Sequence, residues 1–190
     1  MTASVSNISS DSPDHETIVL GGGCFWCLEG VYRRMRGVVA VESGYCNGHL
    51  VVPTYEQVCT GETGHAEVVK LIFDTRAVRL RDVLTVFFTI HDPTTLNRQG
   101  NDVGTQYRSG IYVLSEAQTE VARTYMADLV KANPSLEGRL TTELCPLDNY
   151  STAEPMHDQY YDRFPQAGYC AYVIAPKIEK FLTKLPSLVA

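Results

Sequence analysis

The 190-residue chain predicts an α+β fold in which helices cover one face of a sheet. Three observations carry that expectation. Short β-branched apolar runs and segments of helical spacing follow one another in the order β-α-β, β-α-β. Hydrophobic residues make up 44% of the chain and recur throughout it, enough to bury a core. No repeat period interrupts them.

The first strand is expected at residues 17–20, which run into Gly21-Gly22-Gly23, a sharp glycine turn. Phe25, Leu28, Val31, Tyr32 and Met35 recur at helical spacing over residues 24–36, with Gly37 as a C-terminal stop. Residues 38–45 and 66–73 read as strands, and the glycine- and proline-bearing stretch 46–65 between them as a loop. A helix is expected at 80–91. The polar loop 92–106 that follows is long for a compact domain, which marks it as functional. A strand at 109–114 leads into a helix capped by Ser115 and ended by Asn133-Pro134. A short strand, Tyr-rich loops and an amphipathic stretch at 178–185 complete the chain. Residues 1–16, rich in Ser, Asp and Thr, are expected to be a flexible extension, and residues 17–190 a single domain.

Composition removes several function classes. A net charge of −6, from 16 Lys+Arg against 22 Asp+Glu, argues against phosphate-backbone binding, so no nucleic-acid partner is expected. Arginines cluster at Arg33, Arg34 and Arg36 and at Arg76, Arg79 and Arg81, and read as solvated faces. The best apolar runs, such as 83–90, fall far short of the roughly 20 residues a bilayer requires, so no membrane association is expected. The first sixteen residues lack a basic stretch followed by an apolar one, so a cytoplasmic location is expected. Six scattered cysteines are too sparse for a disulfide scaffold and favour thiol chemistry or buried thiols.

The stretch 21–29, Gly-Gly-Gly-Cys-Phe-Trp-Cys-Leu-Glu, is the most informative. It puts Cys24 at the first turn of a helix, where free amides and the helix dipole favour a thiolate. Phe25 and Trp26 point about 100° apart, so both cannot face the core and one of them is expected to line a pocket. Cys24 and Cys27 form C-x-x-C. A zinc site needs a second close pair of ligands, which the remaining cysteines do not supply, so no metal is expected. A C-x-x-C thiol–disulfide oxidoreductase is the alternative reading, although no cis-proline loop accompanies the motif. A third reading is a binding module whose pocket grips its ligand without turnover.

Gly-Cys-Phe-Trp, Pro53-Thr54-Tyr55, Gly64-His65-Ala66-Glu67, His91-Asp92-Pro93 and the block 100–109 (Gly-Asn-Asp-Val-Gly-Thr-Gln-Tyr-Arg-Ser) together resemble the A-type peptide methionine sulfoxide reductases. His157-Asp158-Gln159-Tyr160 resembles a further block of that family. The likeness runs in register over residues 17–175, and two of its motifs are highly specific.

That resemblance implies a two-layer α/β sandwich with a ferredoxin-like core and long functional loops, and a catalytic domain over 17–190. It implies reduction of the S-epimer of methionine sulfoxide, peptide-bound or free. Cys24 is then the nucleophile and Glu67 the acid that protonates the departing oxygen. Tyr55 and Tyr107 hold that oxygen, Asp102 is the site carboxylate, and Phe25 and Trp26 form the wall for the substrate methyl. Cys24 ends as a sulfenic acid, which a second thiol converts to a disulfide. Cys170, in Gly168-Tyr169-Cys170, matches the family's recycling position and is favoured over Cys27; Cys46 and Cys145 are minor candidates. Cys59 is expected to be buried and structural. The implied reductant and partner is thioredoxin, with no cofactor and a monomer expected.

Overall fold

The computed structural model describes residues 12–190, so most of the expected N-terminal extension lies outside the described residues. The chain runs through β1 (His15–Gly21), α1 (Phe25–Tyr32), β2 (Val38–Cys46), α2 (Tyr55–Cys59), β3 (Ala66–Asp74), α3 (Leu80–Ile90), β4 (Arg98–Gln99), β5 (Asp102–Val103) and β6 (Gly110–Val113). It continues through α4 (Glu116–Ala132), β7 (Glu143–Pro146), β8 (Ser151–Thr152), α5 (Tyr160–Arg163) and α6 (Ala175–Lys184). The order across the main sheet is β7-β6-β1-β3-β2-β8. β1 is antiparallel to both β3 and β6, and β3 is antiparallel to β2. The four inner strands, with α1 and α3 as crossovers, make the expected ferredoxin-like βαββαβ unit. β7 adds parallel to β6, and β8 antiparallel to β2.

Crossovers that leave and rejoin one sheet with the same hand put the helices on one face. The strand alternation matches it. Ile18 and Leu20 of β1 and Val69, Leu71 and Phe73 of β3 pack with Leu28, Val31, Val83, Phe87 and Phe181 from α1, α3 and α6. Burying each such side chain is worth about 1.5–3 kcal/mol. The intervening residues Val19, Cys46, Ala66, Val68 and Tyr112 form a small second cluster on the opposite face, against which Cys145, Leu147 and Tyr150 pack. Among the described residues no helix is long and apolar enough to cross a membrane.

Four local expectations are corrected. The first helix stops at Tyr32, because the C-terminal segment takes up the backbone beyond it. Arg36 N donates to Leu188 O at 2.8 Å, and Ala190 N to Arg34 O at 3.0 Å. The loop 46–65 contains α2, nucleated by a reciprocal cap: Gln57 N donates to Thr54 Oγ1 and Thr54 N to Gln57 Oε1. The long loop 92–106 is pinned by the β4–β5 ribbon. The C-terminal helix begins before residue 178, continuing from a π-helical turn at Cys170–Ile174.

Candidate active site

β1 ends in the glycine turn, and there Gly23 adopts φ +95. A Cβ at Gly23 would lie 2.7 Å from Gln99 Cγ, so only glycine fits. Gln99 is itself fixed by a reciprocal pair: Asp92 N donates to its Oε1 at 2.9 Å, and its Nε2 donates to Asp92 O at 3.0 Å. His91 anchors that loop from below, its ring 2.6 Å from Phe87 O and 2.8 Å from Ser109 Oγ. Burial holds His91 down to about 4, so it is a neutral strut. The kink delivers Cys24 as the residue immediately before α1.

Glu67, near the start of β3, is 1% exposed. Its Oε2 accepts from Phe25 N at 3.1 Å, a first-turn amide of α1 with no intrahelical partner. Burial dominates and pushes its carboxyl up to about 8, with the Asp102 charge adding to it, so the group carries a proton at neutral pH. The Phe25 amide that it accepts from belongs to the residue directly after Cys24. Acid and thiol are therefore adjacent.

The expectation that the helix start favours a Cys24 thiolate is corrected. Burial raises the Cys24 thiol well above its ordinary value, and the neighbouring Cys27 acts in the same direction. Desolvation outweighs the dipole. Cys27 moves the other way, down to about 7, mainly through the neighbouring Cys24 and with help from Lys177.

Tyr55 opens α2, and Tyr107 closes the 3₁₀ turn Thr105–Tyr107. Burial pushes both phenols up, which keeps their hydroxyls as donors. Phe25 is fully buried, whereas Trp26 is only partly buried, so Trp26 is the aromatic that reaches the cleft. Phe25 and Trp26 each stack on Tyr55 with ring centroids 6.4 Å apart. Tyr55 and Tyr107 thus lie within electrostatic reach of Glu67 and Cys24, with Phe25 and Trp26 packed against Tyr55. Such a set can protonate an oxygen while a sulfur nucleophile attacks its neighbour.

The peptide methionine sulfoxide reductase model matches residues 16–187. This chain belongs to that family. The reductase is 48% identical over 174 residues to peptide methionine sulfoxide reductase MsrA of Saccharolobus solfataricus, covering 92% of this chain and 97% of that one. Reduced Mxr1 of Saccharomyces cerevisiae superposes with a TM-score of 0.78 at 34% identity, over 87% of this chain and 94% of that one. Mxr1 solved in complex with Trx2 matches its fold with a TM-score of 0.55 at 24% identity, over 82% and 91% of the two chains. The chain is thus an oxidoreductase acting on methionine sulfoxide, as its relatives' names state.

The remaining cysteines of the reductase divide clearly. Cys170 is fully buried, and the Cys27 charge acts on it. Cys46 and Cys145 belong to the opposite face of the sheet, away from Cys24. Cys59, expected to be buried, is exposed, because it lies on the outer turn of α2, where its side chain hydrogen-bonds Tyr55. Asp102 accepts from Tyr169 Oη at 2.5 Å, and that oxygen lies 3.9 Å from Cys27 Sγ. Among the described residues no group of three or more His, Cys, Asp and Glu side chains could hold a metal ion.

Several contributors had no role assigned from sequence. Tyr160 stacks on Trp26 at 3.8 Å and 7°. His157 packs against Phe25, Trp26 and Tyr55, with centroids 5.1, 5.7 and 4.5 Å away. Glu154 accepts from Tyr55 N at 2.7 Å and Tyr45 Oη at 2.8 Å, which fixes α2 beside the cleft. The block His157–Tyr160 and the tyrosine before Cys170 were the available signals; nothing local marks Glu154.

Proposed function

We propose that the chain reduces the S-epimer of methionine sulfoxide, peptide-bound or free, through a Cys24 sulfenic acid. The observation that carries this reading is the buried, protonated Glu67 beside Cys24. As the Cys24 sulfur attacks the substrate sulfur, Glu67 gives its proton to the sulfoxide oxygen, with Tyr55 and Tyr107 donating to the same oxygen. The substrate S–O bond breaks as its protonated oxygen passes to the Cys24 sulfur, and methionine leaves with the electron pair of its transient bond to that sulfur. The Cys24 thiol proton restores Glu67, so two electrons have passed from the cysteine sulfur to the substrate. Trp26 and Phe25 hold the methyl group, worth about 0.8 kcal/mol per buried carbon, and Asp102 orders the polar side through Tyr169.

Regeneration follows a relay. Sequence favours Cys170, but Cys27 lies one helical turn from Cys24, its amide donates to the Cys24 carbonyl at 3.0 Å, and its thiol is the one held low. The Cys27 thiolate attacks the sulfenic acid and expels hydroxide; Cys170 then attacks the Cys27 sulfur of the resulting disulfide and frees Cys24. Thioredoxin reduces the final disulfide, a reading supported by the Mxr1–Trx2 complex. No cofactor is needed for these steps. One chain supplies every group, so a monomer suffices, and the free thiols suit a reducing compartment such as the cytoplasm.

The C-x-x-C pair also supports the second reading, a thiol–disulfide oxidoreductase. Incubation with the separate S- and R-epimers of a methionine sulfoxide peptide and dithiothreitol decides between them. Turnover of the S-epimer alone is expected. Turnover of neither epimer, with insulin disulfides reduced instead, would overturn the proposal.

A further inference from the structure

Glu29 is 1% exposed, yet its carboxylate plays no part in the chemistry described above. It lies one turn along α1 from Trp26, so the two side chains share a helix face. Its Oε1 accepts from Gln159 N at 2.8 Å, and the Tyr160 amide also points to it. Gln159 is held in the left-handed region at φ 52, an uncommon conformation for a residue with a side chain. That conformation starts α5, and the next residue, Tyr160, lies flat on Trp26 at 3.8 Å. Trp26, Glu29, Gln159 and Tyr160 thus close a ring of contacts between α1 and α5.

We propose that Glu29 is a positioning residue for the substrate wall: its buried carboxylate fixes the Gln159 turn, which presses Tyr160 onto Trp26 and sets the indole against the cleft. The inference rests on the reading of Trp26 as the wall for the substrate methyl. Other ties between the two helices are weaker. Arg33 and Arg34 reach Asp162 of α5, but these pairs are about one-third exposed and screened by solvent. Glu29 works in a buried setting, where the Gln159 amide would be stranded without it. The charged groups beside it are Asp158 and Arg33, which act on it in opposite directions.

The test is a double-mutant cycle read by two signals. Glu29→Ala is expected to raise KM for an S-sulfoxide peptide roughly tenfold, with a smaller change in kcat, because the wall is misplaced while Cys24 and Glu67 stay. Trp26 is the only tryptophan, so iodide quenching of its fluorescence in substrate-free protein reports the stacking directly. Quenching is expected to increase in Glu29→Ala and in Tyr160→Ala. Glu29→Gln keeps an acceptor oxygen and is expected to restore most of both signals. The Glu29→Ala/Tyr160→Ala double variant is expected to be no worse than Tyr160→Ala alone, since one residue acts through the other. Multiplicative effects in the double variant would overturn the proposal, as would an unmoved KM and quenching in Glu29→Ala. Should Glu29→Ala not fold, Glu29→Asp withdraws the carboxylate by one methylene and takes its place, with a several-fold rise in KM expected. The quenching needs no turnover. A wild-type protein inert toward sulfoxide therefore speaks against the proposed function, whereas turnover with an unmoved indole speaks against the role of Glu29.

Discussion

At the scale of single residues, the proposed acid role of Glu67 would tie activity to stability through one proton. Its ordinary value is 4.5, and burial raises it to about 8 in the fold. Below 4.5 both folded and unfolded chains hold the proton, and stability does not depend on it. Between 4.5 and about 8 the unfolded chain has lost a proton that the folded chain keeps, so stability falls as pH rises through that window. Glu29, raised to about 7, adds a contribution of the same sign. Replacing Glu67 by Gln is therefore expected to raise Tm above wild type by a few degrees at pH 8, with a smaller gap at pH 5, in scanning calorimetry. The same variant should lose about 10²–10⁴-fold in single-turnover rate, because an amide cannot supply the proton. In wild type that rate should decline above pH 8 as Glu67 deprotonates; a profile still rising through pH 9 would remove Glu67 from the acid role.

Elements convert these side chains into a site. The turn from β1 into α1 works only with glycine at position 23, where φ is +95 and Gln99 stands 2.7 Å from the missing Cβ. Gly23→Ala should cost about 1–3 kcal/mol in urea denaturation. Adding Gln99→Ala removes the contact but not the backbone strain, so recovery should be partial. The π-helical turn that carries Cys170 and the first turn of α1 that carries Cys27 make the relay testable. After one turnover without reductant, Cys170→Ser should hold a Cys24–Cys27 disulfide by peptide mapping. Cys27→Ser should instead accumulate a sulfenic acid that dimedone traps. A Cys24–Cys170 disulfide forming in Cys27→Ser at the wild-type rate would show that Cys170 resolves directly.

The whole molecule places its chemistry at one end of a one-sided sandwich. Helices α1, α3 and α6 share one face of the sheet, so the C-terminal helix is part of the core that supports the catalytic turn. Phe181, fully buried on α6, is expected to cost about 3–5 kcal/mol when replaced by Ala, seen as a lower urea midpoint. That loss should also slow turnover under mildly denaturing conditions, because α1 packs on α6. The opposite face carries only a small cluster, which is why Cys46 and Cys145 can be free thiols without touching the reaction.

Local order was legible in the residues themselves. The glycine run before Cys24, the alternation of β3 and the helical spacing of α3 are short-range patterns, and they point to a sheet covered on one face by helices, while the ferredoxin-like core comes with the family resemblance. The candidate site residues, Cys24, Glu67, Tyr55, Tyr107, Asp102, Phe25 and Trp26, could be named because whole motifs carried them. What they experience could not be. The state of Cys24 depends on how completely neighbouring elements desolvate it, and that cost exceeds the pull of the helix start. Cys59 faces outward because α2 forms, and α2 rests on a cap and on Glu154, far along the chain. Glu29 looked like an ordinary helix residue until Gln159, 130 positions away, arrived to be held by it. Patterns of spacing determine which elements form; desolvation and long-range hydrogen bonds, which exist only once those elements meet, decide what each site residue can do.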